Sequence, residues 1–402
     1  MDKKPKGMVP KVRFKGFTDD WEQRKLKSIS TRILRKNKDL QSDRPLTISA
    51  QDGLVDQTDY FNKQIASKQL TKYFLLTRGD FAYNKSYSVD FPYGAIKRLN
   101  RYKNGVLSTL YLVFKPLDSV NSDFLEHYYD TSKWYSEIYR NAAEGARNHG
   151  LLNISAEDFF NTTLIIPVKV KEQNKIANLL NIINKLLSLQ QRKLDLLKQL
   201  KKGLLQKMFA DKNNKQPVLR FDGFSGDWEQ RKLGEVAKVT MGQSPSSKYY
   251  TTNPNDHILI QGNADLKSGK VVPRVWTKEI TKSVHNGEII MTVRAPVGYL
   301  AIASMNAVIG RGVAAIEGDK YLFYLLQTKL MNNTWKRISS GSTFESISSN
   351  DIKKLKVTLP KDNERNSISK LMDVISHLLS LQQRRLGKLT YLKKFFLQKL
   401  FI

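Results

Sequence analysis

"RFKGFTDDWEQRKL", residues 13–26, returns as "RFDGFSGDWEQRKL" at residues 220–233. Eleven of the 14 positions are identical, and the two copies lie 207 residues apart. Solenoid repeats have periods of roughly 20–50 residues, so a period of this length indicates repetition of a whole domain. We therefore interpret the chain as a tandem pair of domain-sized units that share one repeated phrase.

A second repeated segment closes each copy. "SLQQRKLDLLKQLKKGLLQKMFA" (188–210) returns as "SLQQRRLGKLTYLKKFFLQKLFI" (380–402), with 14 of 23 positions identical. The intervening segments, roughly 27–150 and 234–345, show no convincing similarity to each other. The repeated phrase and the repeated closing segment, which we call the frame, are therefore duplicated, whereas the segments between them differ.

The intervening segments have the pattern of mixed α/β globules. Residues 287–318 alternate β-branched runs with glycine and proline turns, which predicts several strands. Residues 111–116 predict a strand, and residues 122–146 and 319–338 each predict a helix.

The closing segments predict two long helices with an apolar seam, since apolar side chains recur at steps of three and four. Such a stripe alone also fits a helix that faces a core, but two matched stripes favour packing of the helices on each other. The glutamines at equivalent steps either set the register or lie at the edge of the stripe. The predicted seam residues are Ile183, Leu187, Gln190, Leu194, Leu197, Ile375, Leu379, Gln382, Leu386 and Leu389.

The charge balance points to a polyanionic partner. The 402 residues include 67 Lys+Arg against 37 Asp+Glu, a formal net charge of +30, and nucleic acid is the usual partner of so basic a chain. The absence of cysteine excludes disulfides. With no signal-peptide pattern and no apolar stretch of membrane-spanning length, we expect a cytoplasmic protein.

Common catalytic patterns are absent from the sequence. The five histidines have no ligand spacing, and neither phosphate-binding glycine loops nor G-x-S-x-G occurs. The pattern predicts binding without catalysis by this chain. A stand-alone bipartite DNA-binding protein, or a nuclease or methyltransferase with diverged motifs, remains an alternative.

Two regions have the composition of a DNA-facing loop, with cations for phosphates and aromatic or polar groups near bases: residues 78–105 and 242–252. Each cation taken alone also fits a solvated surface position. The candidate DNA-binding residues are Lys85, Tyr87, Lys97, Arg98, Arg101, Lys103, Arg147, Asn148, Ser244, Ser246, Lys248, Arg294 and Arg311.

The duplicated frame resembles the specificity (S) subunit of type I restriction–modification systems. The resemblance covers nearly the whole chain, and the order of the repeated elements is more specific than any single motif. It rests on "GFTDDWEQRKL" and "GFSGDWEQRKL", "GARNHGLLNISAEDFFNTTLIIP" (145–167), "GEIIMTVRAPVGYLAIASMNAVIGRGVAAI" (287–316), "SGSTFESISSNDIKKLKVTLP" (340–360) and the paired "SLQQR" helices.

The resemblance implies an α+β protein. Two mixed α/β target-recognition domains would be joined by two long helices, packed as an antiparallel coiled coil with pseudo-two-fold symmetry. The implied segments are a first recognition domain (1–165), a central helix (166–212), a second recognition domain (213–358) and a C-terminal helix (359–402).

The resemblance also implies the function. Each recognition domain would bind one half of a bipartite, asymmetric double-stranded DNA site, and the helices would set the spacing. The helices would dock two methyltransferase subunits, and restriction–translocase subunits would complete the complex. S-adenosylmethionine, ATP and Mg²⁺ are expected on those partners, and no cofactor or metal is expected on this chain.

Overall fold

The computed structural model describes residues 8–61, 70–142, 152–210, 214–267, 269–339 and 345–402. The chain forms two compact units. The first unit comprises Met1–Gln191 with Arg385–Ile402, and the second comprises Arg192–Arg384. Each unit includes part of both long helices, whereas the sequence-based division treats the helices as separate segments.

The first unit combines short strands with short helices. Its strands are β1 (Glu22–Lys25), β2 (Ser30–Arg32), β3 (Leu46–Ser49), β4 (Gly53–Asp56), β5 (Phe74–Thr77), β6 (Phe81–Asn84), β7 (Ala95–Arg98), β8 (Asn104–Leu107), β9 (Leu112–Pro116) and β10 (Thr163–Ile166). Its helices are α1 (Leu26–Ile29), α2 (Gln57–Phe61), α3 (Ser122–Tyr129), α4 (Tyr135–Asn141), α5 (Ala156–Asn161) and the first part of α6 (Val170–Lys207).

The main sheet of the first unit has the antiparallel order β2-β9-β6-β7. Strand β3 pairs with β4, and β5 pairs with β8. A parallel bridge between Pro45 and Val106 brings the chain entering β3 beside β8. Aromatic side chains fill one face of the main sheet, where Phe81 stacks on Phe114 with ring centroids 5.2 Å apart.

The second unit has more strands, most of them short. They are β11 (Glu229–Lys232), β12 (Val239–Met241), β13 (Tyr250–Thr251), β14 (His257–Ile260), β15 (Leu266–Lys267), β16 (Lys270–Val271), β17 (Val275–Thr277), β18 (Ser283–Val284), β19 (Ile289–Thr292), β20 (Leu300–Ile302), β21 (Ala307–Ile309), β22 (Val313–Ile316) and β23 (Lys356–Leu359). Its helices are α7 (Leu233–Val236), α8 (Lys320–Met331), α9 (Thr334–Ile338), α10 (Ser349–Lys354) and most of α11 (Asp362–Lys399).

The two units have the same core topology although their intervening sequences are dissimilar. The second unit contains a sheet of order β12-β22-β19-β20-β16-β15, whose first four strands correspond to β2-β9-β6-β7. In its other sheet, β14 pairs with β21 in parallel, as the bridge beside β8 does in the first unit. The duplication therefore extends beyond the repeated phrases to the core sheet of each unit.

The predicted helices over 122–146 and 319–338 are each interrupted. Tyr129 ends α3, and α4 begins at Tyr135; in the second unit Met331 ends α8 and α9 begins at Thr334. Asn333 has φ +52°, a left-handed conformation that asparagine tolerates and that breaks the helix. The apolar periodicity runs across this break, so periodicity alone predicts one helix where the chain forms two.

Matching caps begin the corresponding helices. Asn121 accepts a hydrogen bond from the Phe124 amide at the start of α3. Ser155 and Ser348 cap α5 and α10 in the same way, with distances of 3.0 and 3.2 Å. Each cap satisfies an amide that lacks a partner inside the helix.

The repeated phrase forms a strand beside the residues that enter each long helix. In the first unit β1 pairs antiparallel with β10, and Glu22 lies opposite Ile166. In the second unit β11 pairs antiparallel with β23, and Glu229 lies opposite Leu359. The phrase and the entry to the helix thus form one structural element, although they lie far apart in sequence.

A buried ion pair joins phrase and helix in the first unit. Arg13 donates to both carboxylate oxygens of Glu172, at 2.7 and 2.9 Å, and the indole of Trp21 lies 3.4 Å from Oε1. The Glu172 side chain is only 2% exposed. A bidentate arginine compensates a buried carboxylate well, because two donors match two acceptors.

The second unit repeats this arrangement. Arg220 donates to both oxygens of Glu364 at 2.7 and 2.8 Å, and the Trp228 indole donates at 3.1 Å. In each unit the arginine and the tryptophan come from the repeated phrase, and the glutamate comes from the start of the long helix. We call each Arg–Glu–Trp set the lock of its unit.

The long helices run antiparallel. In the first unit, Leu400 and Phe401, just past the end of α11, share a hydrophobic cluster with Ile176 and Leu180 near the start of α6. In the second unit, the end of α6 shares a cluster with Ile368 and Met372 near the start of α11. The antiparallel helix pair implied by the resemblance is confirmed.

Within the residues that the structure describes, no helix is long and apolar enough to cross a membrane.

Candidate functional sites

Two predicted DNA-binding cations of the first unit are held by carboxylates. Lys97 lies 2.9 Å from Asp130, and Arg98 lies 2.6 Å from both Asp123 and Glu126. Both cations are on β7, and the acids are on α3 or just after it. These pairs attach the helix to the sheet and offset much of the positive charge that sequence analysis assigned to this segment.

The other candidates of the first unit differ in exposure. Lys103 is exposed, while Lys85 is partly buried. Tyr87 packs against the main core of the unit. Arg101 is exposed and its guanidinium lies 3.9 Å from Asp52. Arg147 and Asn148 lie outside the described residues.

The candidates of the second unit lie on loops at the strand ends. Ser244 Oγ accepts a hydrogen bond of 3.1 Å from the Arg311 amide, so the loop after β12 contacts the loop between β21 and β22. The Ser246 amide donates to Glu279 at 2.8 Å. Lys248 Nζ lies 4.9 Å from the centre of the Tyr249 ring.

Two candidate arginines of the second unit differ from Arg98 of the first unit in their ion pairing. Arg294 and Arg311 are both exposed, and neither forms a salt bridge with any residue that the structure describes. Arg294 is held by its backbone, in a bridge to Ser346. The second unit therefore presents arginine charge that no carboxylate offsets, which suits a phosphate or base partner.

A polar cluster lies beneath α3 in the first unit. His127, 1% exposed, has Nε2 2.8 Å from Asn181 Oδ1, and Asn181 donates to Asp123 at 2.8 Å. Burial lowers the pKa of His127, while the hydrogen bond to Asn181 partly opposes that shift.

Different side chains occupy the corresponding place in the second unit. The Tyr324 hydroxyl donates to Asp373 at 2.7 Å, and Lys320 pairs with the same carboxylate. Lys201 donates to Ser376 at 2.9 Å, and burial lowers the pKa of Lys201. The two units thus satisfy the corresponding polar position with different side chains.

The long helices bury the predicted seam. All ten predicted seam residues are buried or partly buried, whereas the side chains flanking them are largely exposed. Gln382 is 3% exposed, and Gln190 is partly buried. The glutamines therefore lie inside the stripe.

A second apolar row follows each helix on its exposed side. Its members recur at heptad spacing, and the row begins at equivalent places in the two repeats. The members of this row are Ile182, Leu186, Leu189, Leu196 and Leu200 in α6, and Val374, Leu378 and Leu392 in α11. Repeated exposed apolar side chains on a helix are typical of a surface that binds another helix.

Among the residues with described coordinates, no group of three or more His, Asp or Glu side chains is placed to hold a metal ion.

Residues 225–391 match the family of type I restriction modification DNA specificity domains. The putative type I restriction enzyme MjaX specificity subunit of Methanocaldococcus jannaschii is 26% identical over 400 residues, covering 94% of this chain and 91% of that protein. The MjaIX specificity subunit of the same organism is 27% identical over 173 residues, 40% of each chain.

Solved structures share the fold. The S subunit of a Type-I restriction-modification system from M. genitalium has a TM-score of 0.63 at 16% identity, covering 98% of this chain and 99% of that one. A chain from a study of complex assembly and conformational transition in a type I R-M system has a TM-score of 0.57 at 22% identity, covering 94% and 97%. With its doubled frame and antiparallel helices, the chain is similar over most of its length to a specificity subunit of a type I restriction enzyme, and residues 225–391 match the model of the DNA specificity domain.

Proposed function

We propose that this chain confers DNA sequence specificity on a type I restriction–modification complex. Each unit binds one half of a bipartite, asymmetric site on double-stranded DNA, and the long helices set the distance between the halves. The chain performs no chemistry itself. Methylation and cleavage belong to its partner subunits.

The observation that carries this proposal is the pairing of identical frames with different loops. Both units have the same lock, the same strand beside the long helix and the same core sheet order. Their strand-end loops differ in sequence and in the pairing of their cations. Two DNA-binding units with equivalent frames and different loops suit a DNA target whose two halves differ in sequence.

The charge of the chain supports a DNA partner. The net charge of +30 favours a polyanion, and Arg294 and Arg311 lie at exposed positions of the second unit without an acidic partner among its described residues. Contacts to phosphates supply affinity that does not depend on sequence, and base contacts add selectivity.

The exposed apolar rows support docking of enzyme partners on the helices. Leu186 and Leu378 occupy equivalent positions of the two repeats, and both are about two-fifths exposed. Because the frame is repeated, two copies of one partner can bind by the same contacts. We propose that these partners are two methyltransferase subunits, and that restriction–translocase subunits join them.

The proposal places cofactors on the partners. S-adenosylmethionine would supply the methyl group on the methyltransferase subunits, and ATP with Mg²⁺ would act on the translocase subunits. The chain described here would contribute orientation of the DNA relative to those subunits.

The test is to map methylated bases across the genome of a host that carries the methyltransferase, with and without this gene. The proposal predicts methylation at a two-part motif with an unread gap, present only when the gene is present. Methylation that is unchanged by deletion of the gene contradicts the proposal. Purification of the chain without any methyltransferase would instead favour a stand-alone DNA-binding protein.

A further inference from the structure

Three loops of the second unit meet at one point: residues 242–244 after β12, residues 260–262 at the end of β14, and residues 310–312 between β21 and β22. A Cβ atom added to Gly242 would lie 2.2 Å from the carbonyl oxygen of Gly310. A Cβ atom added to Gly312 would lie 2.0 Å from the carbonyl oxygen of Gln261. The loops are thus in direct backbone contact, and glycine is required at both positions.

Hydrogen bonds tie the three loops together. The Gln243 amide donates to the Ile309 carbonyl, and the Gly310 amide donates to the Ile260 carbonyl, both at 2.8 Å. The Arg311 amide donates to Ser244 Oγ at 3.1 Å. Each loop is therefore fixed by another loop as well as by its own strand.

A buried carboxylate fixes the loop at residues 260–262. Asp265 is 5% exposed, and its Oδ2 accepts from the amides of Gln261 and Gly262 at 2.8 and 3.2 Å. The Gln261 side chain donates to the Tyr250 hydroxyl at 2.8 Å, so this side chain is held as well. We call residues 242–244, 260–262 and 310–312 the loop platform.

Two long polar side chains extend from the loop platform. Gln243 and Arg311 are both exposed. Within the described part of the second unit, neither side chain takes part in a hydrogen bond or a salt bridge. A fixed backbone that carries uncommitted polar side chains is the arrangement expected of a specificity site, since little backbone ordering remains on binding.

We propose that Gln243 and Arg311 contact base edges in the major groove and determine part of the half-site recognised by the second unit. The inference rests on the proposed function and deepens it. Arginine bonds both acceptors of guanine, O6 and N7, and glutamine matches the N6 donor and N7 acceptor of adenine. Arg311 was a sequence-based candidate without an assigned role, and Gln243 was not singled out.

The test selects duplexes from a randomised DNA library with the full-length chain in complex with its methyltransferase. Wild type is compared with Arg311→Lys, which keeps the charge but loses the bidentate geometry, and with Gln243→Ala. Lys238→Gln is the matched control, because it removes a charge at the opposite end of β12, where Lys238 pairs with Glu317 at 2.8 Å.

Each test variant should lose preference at one base pair of one half-site, by roughly 10- to 100-fold in the selected sequences. The other half-site should stay as in wild type, which also shows that the complex is folded. The control should select the wild-type motif.

An unchanged motif in both Arg311→Lys and Gln243→Ala overturns the inference and leaves the proposed function standing. Changes in both half-sites overturn it too, because the loop platform lies within one unit. If the wild-type complex selects no two-part motif, the proposed function fails, and the inference fails with it.

Discussion

The two units keep the same lock but differ in the polar cluster beneath the corresponding helices. The locks agree in residue type, in bidentate geometry and in burial of the glutamate. The clusters share only their location: His127 and Asn181 in the first unit, Tyr324 and Asp373 in the second. The comparison teaches that the residue types of the lock are the same in both units. In the polar clusters the residue types differ, and only the pairing of buried polar groups is common to both.

The largest expected effect comes from exchanging the segment that lies between the repeated phrase and the long helix of the second unit. Replacement of residues 234–345 by the corresponding region of a relative should change one half of the DNA motif completely and leave the other half unchanged. The frame supports this, because β11, β23 and the lock all lie outside the exchanged segment. Methylation mapping measures the outcome. A change in both halves would show that the units do not act independently.

Removal of the lock carboxylates should have large and equivalent effects on stability. Glu172→Ala and Glu364→Ala should each cost about 3–5 kcal/mol, because a partly buried arginine loses its carboxylate partner and a buried indole loses its acceptor. Hydrogen exchange gives the local measurement. Glu172→Ala should expose β1, and Glu364→Ala should expose β11. Unequal losses would break the equivalence of the two locks.

Exchange of the cluster residues should have smaller, unequal effects. Asn181→Asp removes the donor to Asp123 and places a second carboxylate beside it, which should cost roughly 1–3 kcal/mol. Asp373→Asn keeps an oxygen that can accept from the Tyr324 hydroxyl and removes the charge that pairs with Lys320, whose side chain is 61% exposed, so its cost should be about 1 kcal/mol. Hydrogen exchange of α3 and α8 measures the loss of local stability in the two variants. Equal losses would show that charge pattern does not distinguish the units.

The smallest effect should appear with pH and only in the first unit. Burial lowers the pKa of His127 in the folded state, although Asp130 and Glu126 favour its protonation and Lys393 opposes it. The unfolded state then binds the proton more readily, so stability present above about pH 6.5 falls as the pH drops through that value. His127→Gln should remove this dependence when hydrogen exchange of α3 is followed from pH 7.5 to 5.5. Persistence of the dependence in the variant would assign it to another group.

Sequence analysis predicted the features of the fold that are repeated along the chain. The phrase at 13–26 and its copy marked the frame, and heptad spacing picked out residues of α6 and α11 that are buried or partly buried. The common sheet order could not be predicted, because many dissimilar sequences satisfy the same alternation of buried and exposed side chains. The Arg13–Glu172 ion pair could not be predicted either, because its two residues are 159 positions apart in sequence.

The candidate site was less accessible to sequence reasoning. Lys97 and Arg98 had the composition of a DNA-facing loop, but their partners Asp130 and Asp123 come from a later segment and pair with them only after folding. Gln243 gave no signal by itself. The glycines at 242 and 312 were the available clue, and their requirement became clear only from the approach of the neighbouring carbonyl oxygens.

One hydrogen bond of the first unit has a consequence for gene architecture. The Val12 amide donates to the Lys399 carbonyl at 3.0 Å, as the Leu219 amide donates to the Lys207 carbonyl at 2.8 Å in the second unit. At one of these junctions the peptide chain is continuous, and at the other non-covalent contacts that include this hydrogen bond make the equivalent connection. A rearranged gene that places the codons for 214–402 ahead of those for 1–210 should therefore encode the same pair of units.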